Sequence, residues 1–462
     1  MMFSLQILPN SYFTCCKYCG RFILEDMKFL FMAVIAAAFL TINISSQTPM
    51  ELAEIWDNQH VTRVFPSNLR HSDIKVELEK LKALGLDVKE VGRSNANREI
   101  YQVTFGTGPL KIMMWSQMHG DEPTATSALI DLFTILQNNR DKPWVKRIEK
   151  MVTLRAIPML NPDGAETYIR RNLQGVDINR DAIDLKTPEA RLLKKLREEF
   201  SPEIGFNLHN QNHLTTVDDT FKQASISLLV VYGDEAKTTN AGHERNRRIA
   251  SMIRDALEQF IVLHVARYDD EYTATAFGDN FSAWGTPTIL IETGGLASQD
   301  EMYLVKMNFI ALATALKGVS DGSEKKYSMK PYDTLQANGS GNIMDFIFRN
   351  GTVMLRDKPN NISIADVGIN KARRREKFAA PTFIRKVGYL SNNAGLQEYD
   401  ASKFYIVGRF QPAVAGSFGD LLFYKKDRTI DFTAIDLEQK FAPDAIFSLG
   451  KWVVGEGVVP KK

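Results

Sequence analysis

Seven histidines in 462 residues are few enough to weigh one by one, and His119 stands in the most suggestive pattern. It opens the run His119-Gly120-Asp121-Glu122, in which an imidazole and a carboxylate with two residues between them can converge on one point. Zinc accepts that donor mixture, and a catalytic zinc site keeps three protein ligands with a fourth position open to water. The same four residues also suit the N-terminal cap of a helix, so the pair needs a third donor from elsewhere in the chain. His209 is a candidate, placed after the strand-like run Ile204 to Leu208 and before Asn210 and Gln211, with His213 competing for the role.

Two further groups carry charge where chemistry could use it. After Asn161-Pro162-Asp163-Gly164 comes a dense run containing Arg170, Arg171, Asn172, Gly175, Asp177, Asn179, Arg180 and Asp181. Guanidinium forks match the two oxygens of a carboxylate, so such a run suits capture of an anionic end; a surface ion-pair network would use the same residues. Glu292 ends the apolar run Thr288 to Ile291, and a carboxylate at the tip of a buried strand is either structurally paired or functional. Gly294 and Gly295 then let the chain turn away sharply.

These residues need a scaffold, and the pattern from Ile74 to Lys317 supplies one. Strand-like runs at 111–117, 151–157, 204–209, 227–232 and 288–292 alternate with helical periodicity at 125–136, 188–200, 243–260 and 299–317. That predicts an α/β fold, a mixed central sheet with helices on both faces, over a catalytic domain at 47–320. The polar stretch 321–335 reads as a linker. Short β-prone runs at 343–348, 352–355, 383–387, 404–407 and 421–424, separated by Asn-Gly and other turn signals, predict a small β-rich domain over 336–462. The basic stretch Lys371 to Lys377 reads as a solvated face.

Composition narrows the function. Hydrophobic residues at 44% and charged residues at 24% are ordinary globular values, and a net charge of +2 gives no field for gripping nucleic acid. Cys15, Cys16 and Cys19 precede Met27-Lys28, an apolar run from Phe29 to Leu40 and the small residues Ser45 and Ser46. A basic start, short apolar core and small-residue exit describe a signal peptide at 27–46, with 1–26 an upstream misannotation or atypical leader. The mature chain would be secreted or periplasmic with no stable membrane span, an uncleaved anchor being the alternative. It would contain no cysteine, so a metal must rest on histidine and carboxylate.

In their order, the His-x-x-Glu pair, the Arg-x-Asn run leading to Asp-Ile-Asn-Arg, the later His and the terminal Glu resemble the zinc carboxypeptidases of the carboxypeptidase A type (funnelins), in a compact bacterial branch. The resemblance covers about 74–317. It implies one zinc per chain held by His119, Glu122 and His209, and a peptide substrate whose free C-terminal carboxylate is held by Asn179 and Arg180. It further implies Arg170 as the group that polarises the scissile carbonyl, with Arg171 as fallback, and Glu292 as general base and acid. Asp121 stands where the digestive enzymes carry arginine. Either Tyr268 or Tyr272 matches the family's mobile tyrosine, and Ala274, Ala276 and Phe277 compete with Asp269, Asp270, Glu271 and Asp279 in defining specificity. A zinc amidase or deacylase of the same fold, acting on cell-wall peptides or N-acyl amino acids, and a non-catalytic secreted binding protein are the other readings.

Overall fold

The computed structural model describes residues 47–375 and 377–462. The three cysteines and the expected leader lie outside them. Nine strands belong to the first part of the chain: β1 (Asp87–Arg93), β2 (Glu99–Phe105), β3 (Leu110–Ser116), β4 (Val152–Ile157), β5 (Ile204–Asn210), β6 (Thr216–Val217), β7 (Ile226–Val231), β8 (Val265–Arg267) and β9 (Thr288–Thr293). Eight of them form one mixed sheet in the order β1-β2-β4-β3-β5-β9-β7-β8. At its centre β4, β3, β5 and β9 run parallel, so their C-terminal ends share one edge.

Burial on both faces explains why these central strands are apolar almost throughout. Successive residues of β3 point to opposite sides. Ile112 and Met114 join the core formed with helices Thr124–Asn138, Ala241–Leu257 and Glu301–Asp321. Met113 and Trp115 join a second core with helices Pro188–Phe200 and Phe277–Ala283. The expected architecture, helices on both faces of a mixed sheet, is the one found. Local chemistry marks the helix ends: Thr187 caps Pro188–Phe200 by accepting from the amide of Ala190, and Ser201 stops it in a left-handed conformation.

One buried carboxylate ties the start of the described chain to this frame. Asp131 accepts hydrogen bonds from Trp56 Nε1 at 3.0 Å, the Val61 amide at 2.9 Å, and the amide and hydroxyl of Thr62 at 3.0 and 2.8 Å. Asp131→Ala strands these donors, so thermal or denaturant unfolding should report a loss of about 2–4 kcal/mol; a change below about 0.5 kcal/mol would remove this role.

The C-terminal part is β-rich, as expected. β10 (Asn338–Gly339) pairs with β6. Then β11 (Ile343–Leu355), β12 (Lys358–Lys371), β13 (Thr382–Gly388), β14 (Ala394–Asp400), β15 (Phe404–Gly408), β16 (Leu421–Lys425), β17 (Ala445–Ser448) and β18 (Lys451–Val454) form a second eight-stranded sheet. Two local expectations change. Asn350-Gly351 is not a turn between two strands but a bulge inside β11, with Asn350 at φ 59° and its amide donating to Asp366 Oδ1. The stretch 321–335 is packed rather than loose: Tyr332 is buried, its hydroxyl accepts from the Val230 amide at 2.9 Å, and Asp333 pairs with Arg247.

Candidate metal centre and active site

The loop leaving β3 is fixed by its neighbour before any side chain is considered. Gln117 adopts a positive φ of 51°, its side chain donates to the Gly120 carbonyl, and Asn161 donates to the Met118 carbonyl. A Cβ on Gly120 would lie 1.9 Å from the backbone carbon of Gly164, so only glycine lets the two loops touch. That contact sets His119 and Glu122 just ahead of helix Thr124–Asn138, facing the end of β5.

There the three sequence candidates meet. Glu122 Oε1 lies 2.9 Å from His119 Nδ1, Glu122 Oε2 lies 2.7 Å from His209 Nδ1, and the two Nδ1 atoms are 3.1 Å apart. All three residues are buried, and among the described residues they are the one group of histidine and carboxylate side chains that could hold a metal. Zinc with bonds of about 2.0–2.1 Å to nitrogen and oxygen separates adjacent tetrahedral ligands by roughly 3.3 Å, close to this spacing. The donor set therefore fits zinc. His119 Nε2 meets Asp177 Oδ1 at 3.1 Å, which turns Nδ1 toward the cradle and fixes the tautomer a metal needs.

The charges agree with this arrangement. Burial disfavours the Glu122 carboxylate, yet the two imidazoles outweigh it and hold the carboxyl well below its usual range. Burial alone would depress His119, but the charge of Glu122 and the bonds to Asp177 and Glu122 push it up to about 9, whereas burial keeps His209 low. Arg170 binds Asp177 at 3.0 Å and reaches Glu122 Oε1 at 3.2 Å.

Glu292 is placed by strand register. Its residue pairs with His209 across parallel β5 and β9, so the two side chains leave the same face at neighbouring strand positions. Burial, and then the nearby Glu122 charge, raise its carboxyl well above the ordinary range. Tyr268 and Tyr272 both line the cleft, and Glu292's charge followed by burial raises the Tyr268 phenol. Asn179 and Arg180 line the same cleft, Asn179 being fixed by accepting from the Phe277 amide at 2.9 Å.

Two expectations need correction. Arg171 does not reach the site: it is exposed and donates to the Gly175 carbonyl. The stretch 371–377 is not merely a solvated face, because Lys371, Arg373, Arg374 and Arg375 line the cleft of about 1030 Å³. His213, the competing histidine, pairs instead with Asp345 of β11 at 2.9 Å. Sequence reasoning assigned no role to Asp177, Tyr168 or Arg373. Asp177 was visible within the charged run, whereas nothing local ties Arg373 to residues so far upstream.

Comparison with known proteins matches residues 77–276 to the family model described as zinc carboxypeptidase. The chain is 31% identical over 101 residues to probable carboxypeptidase 2 of Trichophyton verrucosum (strain HKI 0517), covering 21% of this chain and 19% of that protein. It is 28% identical over 176 residues to carboxypeptidase E of Caenorhabditis elegans, covering 33% and 35%. The matches thus span about a fifth to a third of these relatives' length. Among solved structures, a metallo-carboxypeptidase from Burkholderia cenocepacia superposes with a TM-score of 0.44 at 18% identity, covering 54% of this chain and 68% of that one.

Proposed function

We propose that the chain, whose residues 77–276 match the zinc carboxypeptidase family model, is a zinc-dependent carboxypeptidase that hydrolyses the last peptide bond of peptides. The observation that carries this is one cleft holding His119, Glu122 and His209 as a three-donor cradle, Glu292 one strand away, and Asn179 with Arg180. When bound, zinc lowers the pKa of a coordinated water toward about 7 and polarises a carbonyl oxygen.

The residues supply the rest. Glu292 takes the proton of the attacking water and delivers it to the leaving nitrogen; its burial favours holding that proton between the two transfers. Arg170 offers its guanidinium to the oxygen that gains charge during attack. Asn179 and Arg180 hold the terminal carboxylate, which brings the last peptide bond to the reacting groups. The reading includes export, since Met27-Lys28, the apolar run from Phe29 to Leu40 and the small residues Ser45 and Ser46 have the sequence form of a signal peptide.

Arg180→Ala tests the end-reading step. It should lower kcat/KM about 10- to 100-fold for peptides with a free terminal carboxylate, chiefly through KM, without changing zinc content. Steady-state kinetics on free and C-terminally amidated peptides measure this, and an enzyme that cuts both equally well is not an end-reader.

A further inference from the structure

The cleft has one wall that the catalytic fold does not build. Between β12 and β13 the chain leaves the second sheet and crosses to the metal cradle, and this crossing is anchored at both sides. Arg375 is buried and donates to the backbone carbonyls of Leu69, Ala165 and Glu166. Asp345 of β11 holds the Lys371 amide at 2.7 Å and also pairs with His213, on the loop that follows β5.

Between these anchors Arg373 turns into the cleft. Its guanidinium stands 3.8 Å from Asp121, the residue next to the proposed metal ligand Glu122, and lies near enough to the Tyr168 phenol to interact with it electrostatically. Tyr168 is itself held in the left-handed region at φ 56°, with Arg375 5.4 Å from its ring centroid. More than a third of the Arg373 side chain stays open to solvent, and its ion pair with Asp121 is long. A planar fork with five donors is not saturated by one phenol and one distant carboxylate.

Arg180 lines the same cleft from a different part of the chain, next to Asn179 and the segment at Phe277 to Asp279. Of the cleft's arginines, Arg180 is assigned to the terminal carboxylate and Arg170 to the scissile carbonyl, and Arg375 is engaged by backbone carbonyls. Arg373 carries no such assignment.

We propose that Arg373 is a specificity-determining residue that binds an anionic group on the acyl side of the scissile bond, so that the preferred substrates are peptides with an acidic residue before the bond that is cut. This rests on the carboxypeptidase reading for the direction of the substrate. It also gives the β-rich region a part in the site: its strap supplies the cation, and the sheet holds the strap in place.

The test compares acetyl-Glu-Ala with acetyl-Gln-Ala by calorimetry on the zinc-loaded full chain, in a Glu292→Gln background with Arg373 intact, Arg373→Lys and Arg373→Ala. Binding of the acidic peptide should be about 10- to 100-fold tighter with Arg373 intact. Arg373→Ala should bring the ratio close to one, and Arg373→Lys should restore part of it. Equal binding of both peptides, binding of neither, or a ratio unmoved by Arg373→Ala overturns the proposal; a melting curve of each variant separates misfolding from lost recognition. Hydrolysis of the same peptides by the chain with Glu292 intact reports separately on the carboxypeptidase reading. Arg373-dependent binding without hydrolysis would leave the anion site standing and remove the peptidase.

Discussion

Glu292→Gln should lower kcat by about 10²- to 10⁴-fold while the protein keeps its zinc. The carboxamide has almost the same shape, so the packing at the tip of β9 survives, but it cannot take a proton from water or carry one to the leaving amine. Zinc should stay because the donors are His119, Glu122 and His209, none of which changes. Turnover together with metal content by atomic spectroscopy checks both halves; activity within a few-fold of the parent enzyme would deny Glu292 its role. The acid side of the kcat/KM profile adds a sign. Burial and the charge of Glu122 raise the Glu292 carboxyl, so activity should fail on acidification at a higher pH than an exposed carboxylate would dictate, and be regained as pH rises through that value.

His209→Ala should abolish stoichiometric zinc binding, with a loss in affinity larger than about 100-fold. The mutant keeps one imidazole and one carboxylate, and Glu122 loses the neighbour at 2.7 Å that helps hold it ionised. Asp177→Asn offers a graded comparison. It leaves all three donors in place and disturbs only the bond that orients His119, so its cost in zinc affinity should fall in the range of about 10- to 100-fold typical of outer partners. Zinc titration of the metal-stripped chain ranks the three proteins. Stoichiometric zinc retained by His209→Ala would mean the metal sits elsewhere.

Much of this centre was legible because its signals are local. A central strand buried on both faces writes itself as an unbroken apolar run, and the residue that ends the run is then a marked position; His209 and Glu292 were both found this way. Helix Pro188–Phe200 was read to the residue because Pro188 and the periodic apolar face bound it. What was missed depends on contacts distant in sequence. β12 carries no apolar run that stands out, and its neighbouring basic residues look like any solvated stretch until the second sheet carries them to the cleft. Asn350-Gly351 has the composition of a hairpin turn, and only the continued pairing of β11 with β12 and β15 reveals a bulge. Arg171 and Arg170 are adjacent, and the direction each side chain takes is settled by Asp177 and Gly175 rather than by residue type.

The pairing of His209 with Glu292 across β5 and β9 makes the gap between the proposed metal donor and the proposed proton carrier a backbone dimension, about 4.8 Å, fixed by ladder hydrogen bonds. Such a caliper is blind to the length of chain that joins its jaws. Segments inserted or removed between Asn210 and Thr288 could remodel the cleft's walls, and hence the menu of substrates, with the jaws unmoved. A slip of one residue along β9 has the opposite character: it would present Ile291 or Thr293 in place of Glu292 and extinguish the chemistry in a protein that still folds. Loop length is thus the freely adjustable variable of this scaffold, and strand register the conserved quantity on which its chemistry depends.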